Sequence, residues 1–188
     1  MNLNYEIANT PTTVIEAMSK SFTGACIALL LDQGKISPDD DLRKYLPEIH
    51  PHDSPIRVRH LIRCRSGPWA QWHLVQLAGW SSEPIESPYT SDNLLALFSR
   101  PNSLRFEPGL TFRYGSSGYF LLAQIVRRVT GKLLARFAQE NLFNPLGMKH
   151  THFTQDATQV VKHRAVGHYR DSDGAWRQWS SNMTAVRG

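Results

Sequence analysis

A mainly α-helical chain with a small β element is the fold class the sequence predicts. Three observations carry it. Apolar residues recur at helical spacing in separate stretches, most clearly over Ala17–Leu31 and Gly118–Thr130. Proline, glycine and small polar residues punctuate those stretches where helices start and stop. Strand-like runs gather only in the tail after Thr151, around the hairpin signal Asp173-Gly174. The balance is six or seven helices to one hairpin.

In chain order, residues 1–13 are polar and interrupted by Pro11, and read as an extended lead-in. Ala17 to Leu31 reads as a helix stopped by Gly34. It is apolar nearly all round after Phe22, which predicts a central, buried helix. Ser37-Pro38-Asp39-Asp40-Asp41 is a turn and helix start, with acids where the helix dipole favours them. Leu42–Leu46 is a short helical turn ended by Pro47, and Pro51 and Pro55 mark a loop. Val58–Cys64 is a short helix with Val58, Leu61 and Ile62 inward, broken by Ser66-Gly67-Pro68. Trp69–Trp80 reads as a helix or an aromatic-rich loop, and Glu83–Pro88 as a loop.

Thr90-Ser91-Asp92 caps a helix over Asn93–Ser99, followed by Pro101. Pro108-Gly109 is a turn. Gly118–Thr130 is the best helix, with Phe120, Leu121, Ile125 and Val129 on one face and Gly131 at its end. Leu133–Leu142 is amphipathic, with Leu134, Phe137 and Ala138 inward, and Pro145-Leu146-Gly147 turns the chain. The expected organisation is a single partial domain over 1–188. Its helical part is 14–150 and its hairpin region is 151–188.

Composition narrows the class. With 188 residues, 41% of them hydrophobic, the chain is long enough for one core without staples. A mean hydropathy of -0.37 goes with a soluble protein. The apolar run Ala25–Leu31 is far short of the roughly 20 residues of a spanning helix, so no membrane span is expected. Net charge is +5. The basic residues are scattered, with Arg59, Arg63 and Arg65 the densest group. They read as a solvated face, and no nucleic-acid partner is expected. Cys26 and Cys64 make no disulfide framework and read as reduced thiols in or near the core. The opening residues Met1–Glu6 have neither a positive leader nor an apolar core, so no signal peptide is expected in this chain.

Several stretches resemble one family. Ser19-Lys20-Ser21-Phe22-Thr23-Gly24-Ala25 and Asp32–Asp40 are similar to the active-site helix and following turn of the serine β-lactamase-like hydrolases. These are the class C β-lactamases, the penicillin-binding DD-peptidases and their esterase relatives. Val58-Arg59-His60-Leu61-Ile62 with Ser66-Gly67 resembles the next landmark. Phe106–Gly109, Phe112–Leu122 and Asn144–Met148 continue the series in order.

The resemblance implies the helical subdomain of the β-lactamase/transpeptidase-like α+β fold, with most of the sheet missing. The family's first helix and opening strands are expected before Met1, and its late strands beyond Gly188. It also implies acyl transfer through an acyl-serine, in the hydrolysis of an ester, amide or β-lactam. Relatives are often periplasmic or secreted, and the compartment of this chain is left open.

The chemistry needs a serine activated by a neighbouring base. A serine three residues before a lysine shares its helix face. A tyrosine from another segment relays the proton, and backbone N–H groups hold the oxyanion. By resemblance Lys20 is the motif lysine, but Ala17 stands at the nucleophile position. Ser19 is one residue from Lys20, about 100° round the helix, and does not replace the missing serine. Tyr114 matches the tyrosine of the Tyr-x-Asn motif, and Ser116 stands at the asparagine position, where it lines the site or caps the next helix. No Lys-Ser/Thr-Gly, His-x-Gly or Trp-x-Gly motif occurs.

The site expected is therefore Lys20, Tyr114 and Ser116 as remnants, with Ala17 in place of the nucleophile. The partner expected is a small acyl, ester or β-lactam-like molecule. No cofactor and no metal are expected. His150, His152, His163 and His168 lack the close Cys or paired carboxylate that a zinc site would add. Trp69, Trp72 and Trp80 line an acyl or aryl pocket, or pack as core and lid. Gly115-Ser116-Ser117-Gly118 is not a nucleophile elbow, because Tyr119 stands where a glycine is required. The chain is read as a catalytically silent member of the family. Two other readings stay open: a non-catalytic ligand- or partner-binding module, and a gene-model fragment. The oligomeric state is not assigned.

Overall fold

A computed structural model describes residues 16–79, 90–153 and 167–179. A 3₁₀ turn at Glu16–Met18 leads into α1 (Ser19–Asp32). A second 3₁₀ turn, Leu42–Lys44, precedes α2 (Val58–Ile62), α3 (Gln71–Leu77) and α4 (Ser91–Phe98). Then come α5 (Ser117–Thr130) and α6 (Leu134–Ala138), the latter running into a π turn at Gln139–Phe143. The strands β1 (Gly167–Arg170) and β2 (Trp176–Trp179) close the described part.

The core sits where α1, α2 and α6 pack on α5. Cys26, Ile27 and Leu30 of α1 are sealed from solvent, as are Leu122, Ile125 and Val126 of α5. Val58 and Leu61 of α2, Ala138 of α6, and Leu42, Leu46 and Leu94 join them at zero exposure. Each such side chain contributes about 1.5–3 kcal/mol relative to exposure. Aromatic pairs extend the packing. Phe22 meets Phe143 edge to face at 5.2 Å, and Phe98 stacks on Phe120 at 5.5 Å. Gly118 lets α5 approach α2 closely, since a Cβ there would lie 3.2 Å from the Leu61 carbonyl oxygen.

α4 begins at Ser91, two residues before the expected Asn93, because Thr90 itself is the cap. Thr90 accepts from the Asn93 N–H at 3.1 Å, and the Asn93 side chain accepts from the Thr90 N–H at 2.9 Å. α5 ends at Gly131, which takes the left-handed conformation and bonds back to the Arg127 carbonyl. The hairpin pairs antiparallel with His168 opposite Gln178 and Tyr169 opposite Arg177. Its turn is organised by Asp171, which accepts from the N–H groups of Asp173 and Ala175, while Gly174 supplies the positive φ. The strand-like residues Val160–Val166 and the tryptophan Trp80 lie outside the described residues.

Four expectations are corrected. α1 starts two residues later than its apolar pattern, because Ala17 belongs to the 3₁₀ turn and Met18 offers no capping side chain. It is also not buried all round. Thr23, Cys26, Ile27 and Leu30 face the core, Ala28 is exposed, and Leu29 and Leu31 are half-buried. α2 stops at Ile62 rather than Cys64. The Arg65 N–H bonds to the His60 carbonyl and the Cys64 N–H to the Leu61 carbonyl, with Cys64 at φ 52. That is a Schellman close with cysteine where glycine is usual. The amphipathic stretch after Leu133 is α-helical only to Ala138 and then widens into the π turn. Burial pushes the Cys26 thiol up to about 11, and neither cysteine is in a disulfide.

The turn before α2 holds an acid-sensitive contact. Asp40 accepts from the Tyr45 hydroxyl, from the Ser37 N–H at 2.7 Å and from the Lys44 ammonium at 2.9 Å. The Tyr45 hydrogen bond is the largest cause holding its carboxyl below the usual range. A lowered folded value means stability that is present above about pH 4 and lost as pH falls through the folded value. Asp40→Asn is expected to cost about 1 kcal/mol at pH 7 and less at pH 2. Urea titration at both pH values checks this, and equal costs at the two would contradict it.

Candidate active site

The first turns of α1 and α5 meet across the packed helices. Lys20, in the first turn of α1, donates to the Tyr114 hydroxyl at 2.9 Å and to the Ser116 hydroxyl at 3.4 Å. Its ammonium also stands 4.8 Å from the Tyr114 ring centre and 5.9 Å from that of Tyr119. The three residues named from sequence are thus brought together, although 94 positions separate Lys20 from Tyr114.

Several contacts hold this arrangement. The Arg113 N–H bonds to the Cys64 carbonyl at 2.9 Å and fixes the segment that presents Tyr114. Ser117 donates to the Trp69 carbonyl and accepts from the Gln71 N–H, both at 2.9 Å, tying the start of α5 to the start of α3. Tyr119 donates to the Ile62 carbonyl at 3.0 Å, and burial raises its hydroxyl above the ordinary tyrosine value. Ser117 and Tyr119 were not singled out from sequence. Both follow Ser116 directly, and only the placement of α5 shows what they hold.

Ser116 occupies the position before α5 but makes no side-chain cap to it. Its hydroxyl instead accepts from Lys20. Lys20 is only half-buried and Tyr114 is 58% exposed, so the cluster opens to solvent. Ala17 is exposed in the 3₁₀ turn that precedes Lys20. Among the described residues Lys20 has no carboxylate partner.

The tryptophans divide. Trp69 donates to the Ser103 carbonyl at 3.1 Å and lines a cavity with Leu42, Ile49, Phe98, Leu104 and Leu121. That lining includes none of Lys20, Tyr114 or Ser116. Trp72 is exposed and stacks on His73 at 3.5 Å. Among the described residues, no group of three or more His, Cys, Asp or Glu is placed to hold a metal ion. No helix among them is long and apolar enough to cross a membrane.

Lys20, Tyr114 and Ser116, the residues that the sequence resemblance singled out, are thus in hydrogen-bond contact at the meeting of two helix starts. The beta-lactamase family model matches residues 8–186. The chain belongs to the beta-lactamase family. It is 26% identical over 186 residues to the D-aminopeptidase of Gluconobacter oxydans, covering 97% of this chain and 34% of that protein. It is 29% identical over 161 residues to penicillin-binding protein 4* of Bacillus subtilis, covering 84% of this chain and again 34% of the relative. The chain therefore spans about a third of the length of these relatives. The crystal structure of a penicillin-binding protein from Bacillus halodurans superposes with a TM-score of 0.73 at 24% identity, over 89% of this chain and 49% of that one. The chain therefore has the β-lactamase/transpeptidase-like fold. Its described part is mostly helical, with one two-stranded sheet.

Proposed function

We propose that this beta-lactamase-family chain keeps the acyl-ligand cleft of a serine hydrolase but forms no acyl-enzyme. The observation that carries the reading is the Lys20–Tyr114–Ser116 cluster opposite Ala17. The proton-handling groups are in hydrogen-bond contact, while the nucleophile position holds alanine. In relatives with a serine there, the lysine takes the serine proton and the tyrosine relays it to the leaving group. Here that proton has no source, so the first covalent step is lost while groups that face a bound acyl compound remain. The helical part, 14–150, is read as the family's helical subdomain.

The ligand class follows from the family: a small ester, amide or β-lactam, held reversibly. The test pairs turnover with binding. Chromogenic ester hydrolysis and fluorescent-penicillin labelling are expected at background, while thermal shift with the same compounds reports binding. Turnover or stoichiometric labelling overturns the reading. A chain that neither labels nor shifts with any of them, and that melts with poor cooperativity, supports the gene-model-fragment alternative.

A further inference from the structure

We infer that the Lys20–Tyr114–Ser116 cluster is a receptor for the carboxylate of a small organic acid, so that this chain prefers the free acid to its ester or amide. The inference rests on the reading above and names the ligand class of the same site.

The argument is an inventory of donors. An ammonium carries three N–H donors and accepts nothing. Two of those on Lys20 go to the Tyr114 and Ser116 hydroxyls, which leaves one. Each hydroxyl accepts from Lys20 through one lone pair, and neither gives its own proton to an acceptor among the described residues. One N–H and two O–H groups therefore converge on solvent, around a positive charge without a carboxylate partner among those residues. An amide or an ester brings one neutral carbonyl oxygen to such a set, whereas a carboxylate brings two charged oxygens, and its charge-assisted hydrogen bonds are roughly twice as strong. Ala17 adds room on the same side, since its methyl replaces a hydroxymethyl at the position where relatives place an oxygen next to the lysine.

The surroundings have the same sign. Arg113 precedes Tyr114 and is bonded through its backbone to Cys64, which lies between Arg63 and Arg65. Arg63, Arg65 and Arg113 are all exposed, and none pairs with a carboxylate among the described residues. Together with Lys20 they give this part of the surface a positive sign that attracts anions and makes their binding salt-sensitive.

Fluorine NMR titration with 4-fluorophenylacetate, its amide and its methyl ester tests the inference. The acid is expected to bind about tenfold tighter than either neutral compound at low salt, with the preference shrinking as salt rises. Lys20→Met is expected to erase the preference, and Tyr114→Phe and Ser116→Ala to reduce it severalfold each. Lys149→Met, which changes an exposed lysine outside the cluster, should leave it intact and so separates the site from the overall positive charge. Circular dichroism confirms that each variant is folded, and Ser116→Ala keeps the test alive should Lys20→Met fail to fold. Equal affinity for acid and amide, a preference that survives Lys20→Met, or no binding by any of the three overturns the inference. Hydrolysis of the methyl ester overturns instead the reading on which it rests.

Discussion

Gly67→Ala is expected to destabilise the chain by about 3 kcal/mol or more, which is enough to unfold much of it at 37 °C. Gly67 has φ +84, and a Cβ built there would lie 2.2 Å from the Phe106 carbonyl oxygen. The left-handed conformation alone costs a non-glycine residue about 1–2 kcal/mol, and forcing two backbones apart adds about 1–3 kcal/mol. The obstacle is main chain, so no rotamer change relieves it. The strand-like contact it would open includes the Arg105 N–H to Gly67 carbonyl bond at 2.9 Å. That segment leads on to Arg113 and Tyr114, so the site should be lost with the fold. Urea denaturation with a parallel 4-fluorophenylacetate titration checks both effects. A change below about 1 kcal/mol would show that the Phe106 segment moves aside freely.

The second large effect is a gain. Ala17→Ser is expected to make the chain react with a fluorophosphonate, at a rate at least about tenfold above the parent. A positioned general base contributes about 10²–10⁴ in rate, and part of that is forfeited because Ala17 lies in a 3₁₀ turn rather than in α1. The turn runs directly into α1, so a serine at 17 lies about one helical turn before Lys20 and near its face. Intact-mass kinetics reads the adduct. The double variant Ala17→Ser with Lys20→Met should return to background, which assigns the activation to the lysine. No gain in the single variant would contradict the assignment of position 17 as the nucleophile position.

Local signals made much of the fold legible. Thr90 with Asn93, Gly131 after α5, and Asp173-Gly174 act through contacts a few residues apart, and each sits where its spacing predicts. What escaped is set by tertiary contact. Cys64 takes a left-handed conformation that no residue type there announces, because the chain must turn from α2 toward Gly67. The π turn at Gln139–Phe143 lets Phe143 reach the core beside Phe22, and no helical period encodes it. The uniform apolarity of α1 suggested burial on every side, but periodicity reports what a helix can bury, not what the described residues supply to cover it.

The site was legible in a different way. Resemblance named Lys20, Tyr114, Ser116 and the alanine at 17, since each stands at a recognisable distance from its motif neighbours. No spacing argument joins Lys20 to residues more than ninety positions away; only the packing of α1 on α5 does that. The same packing settles Ser116 as a partner of Lys20 rather than a helix cap. It also adds Ser117 and Tyr119 as the residues that hold the start of α5 in place.

The central claim is that the proton-handling cluster survives without a nucleophile. Intact-mass spectrometry of the unmodified chain after prolonged exposure to a fluorophosphonate tests it most directly. The account predicts the parent mass alone, with no serine adduct at any time point. A stoichiometric adduct mapped to a serine beside Lys20 would contradict it.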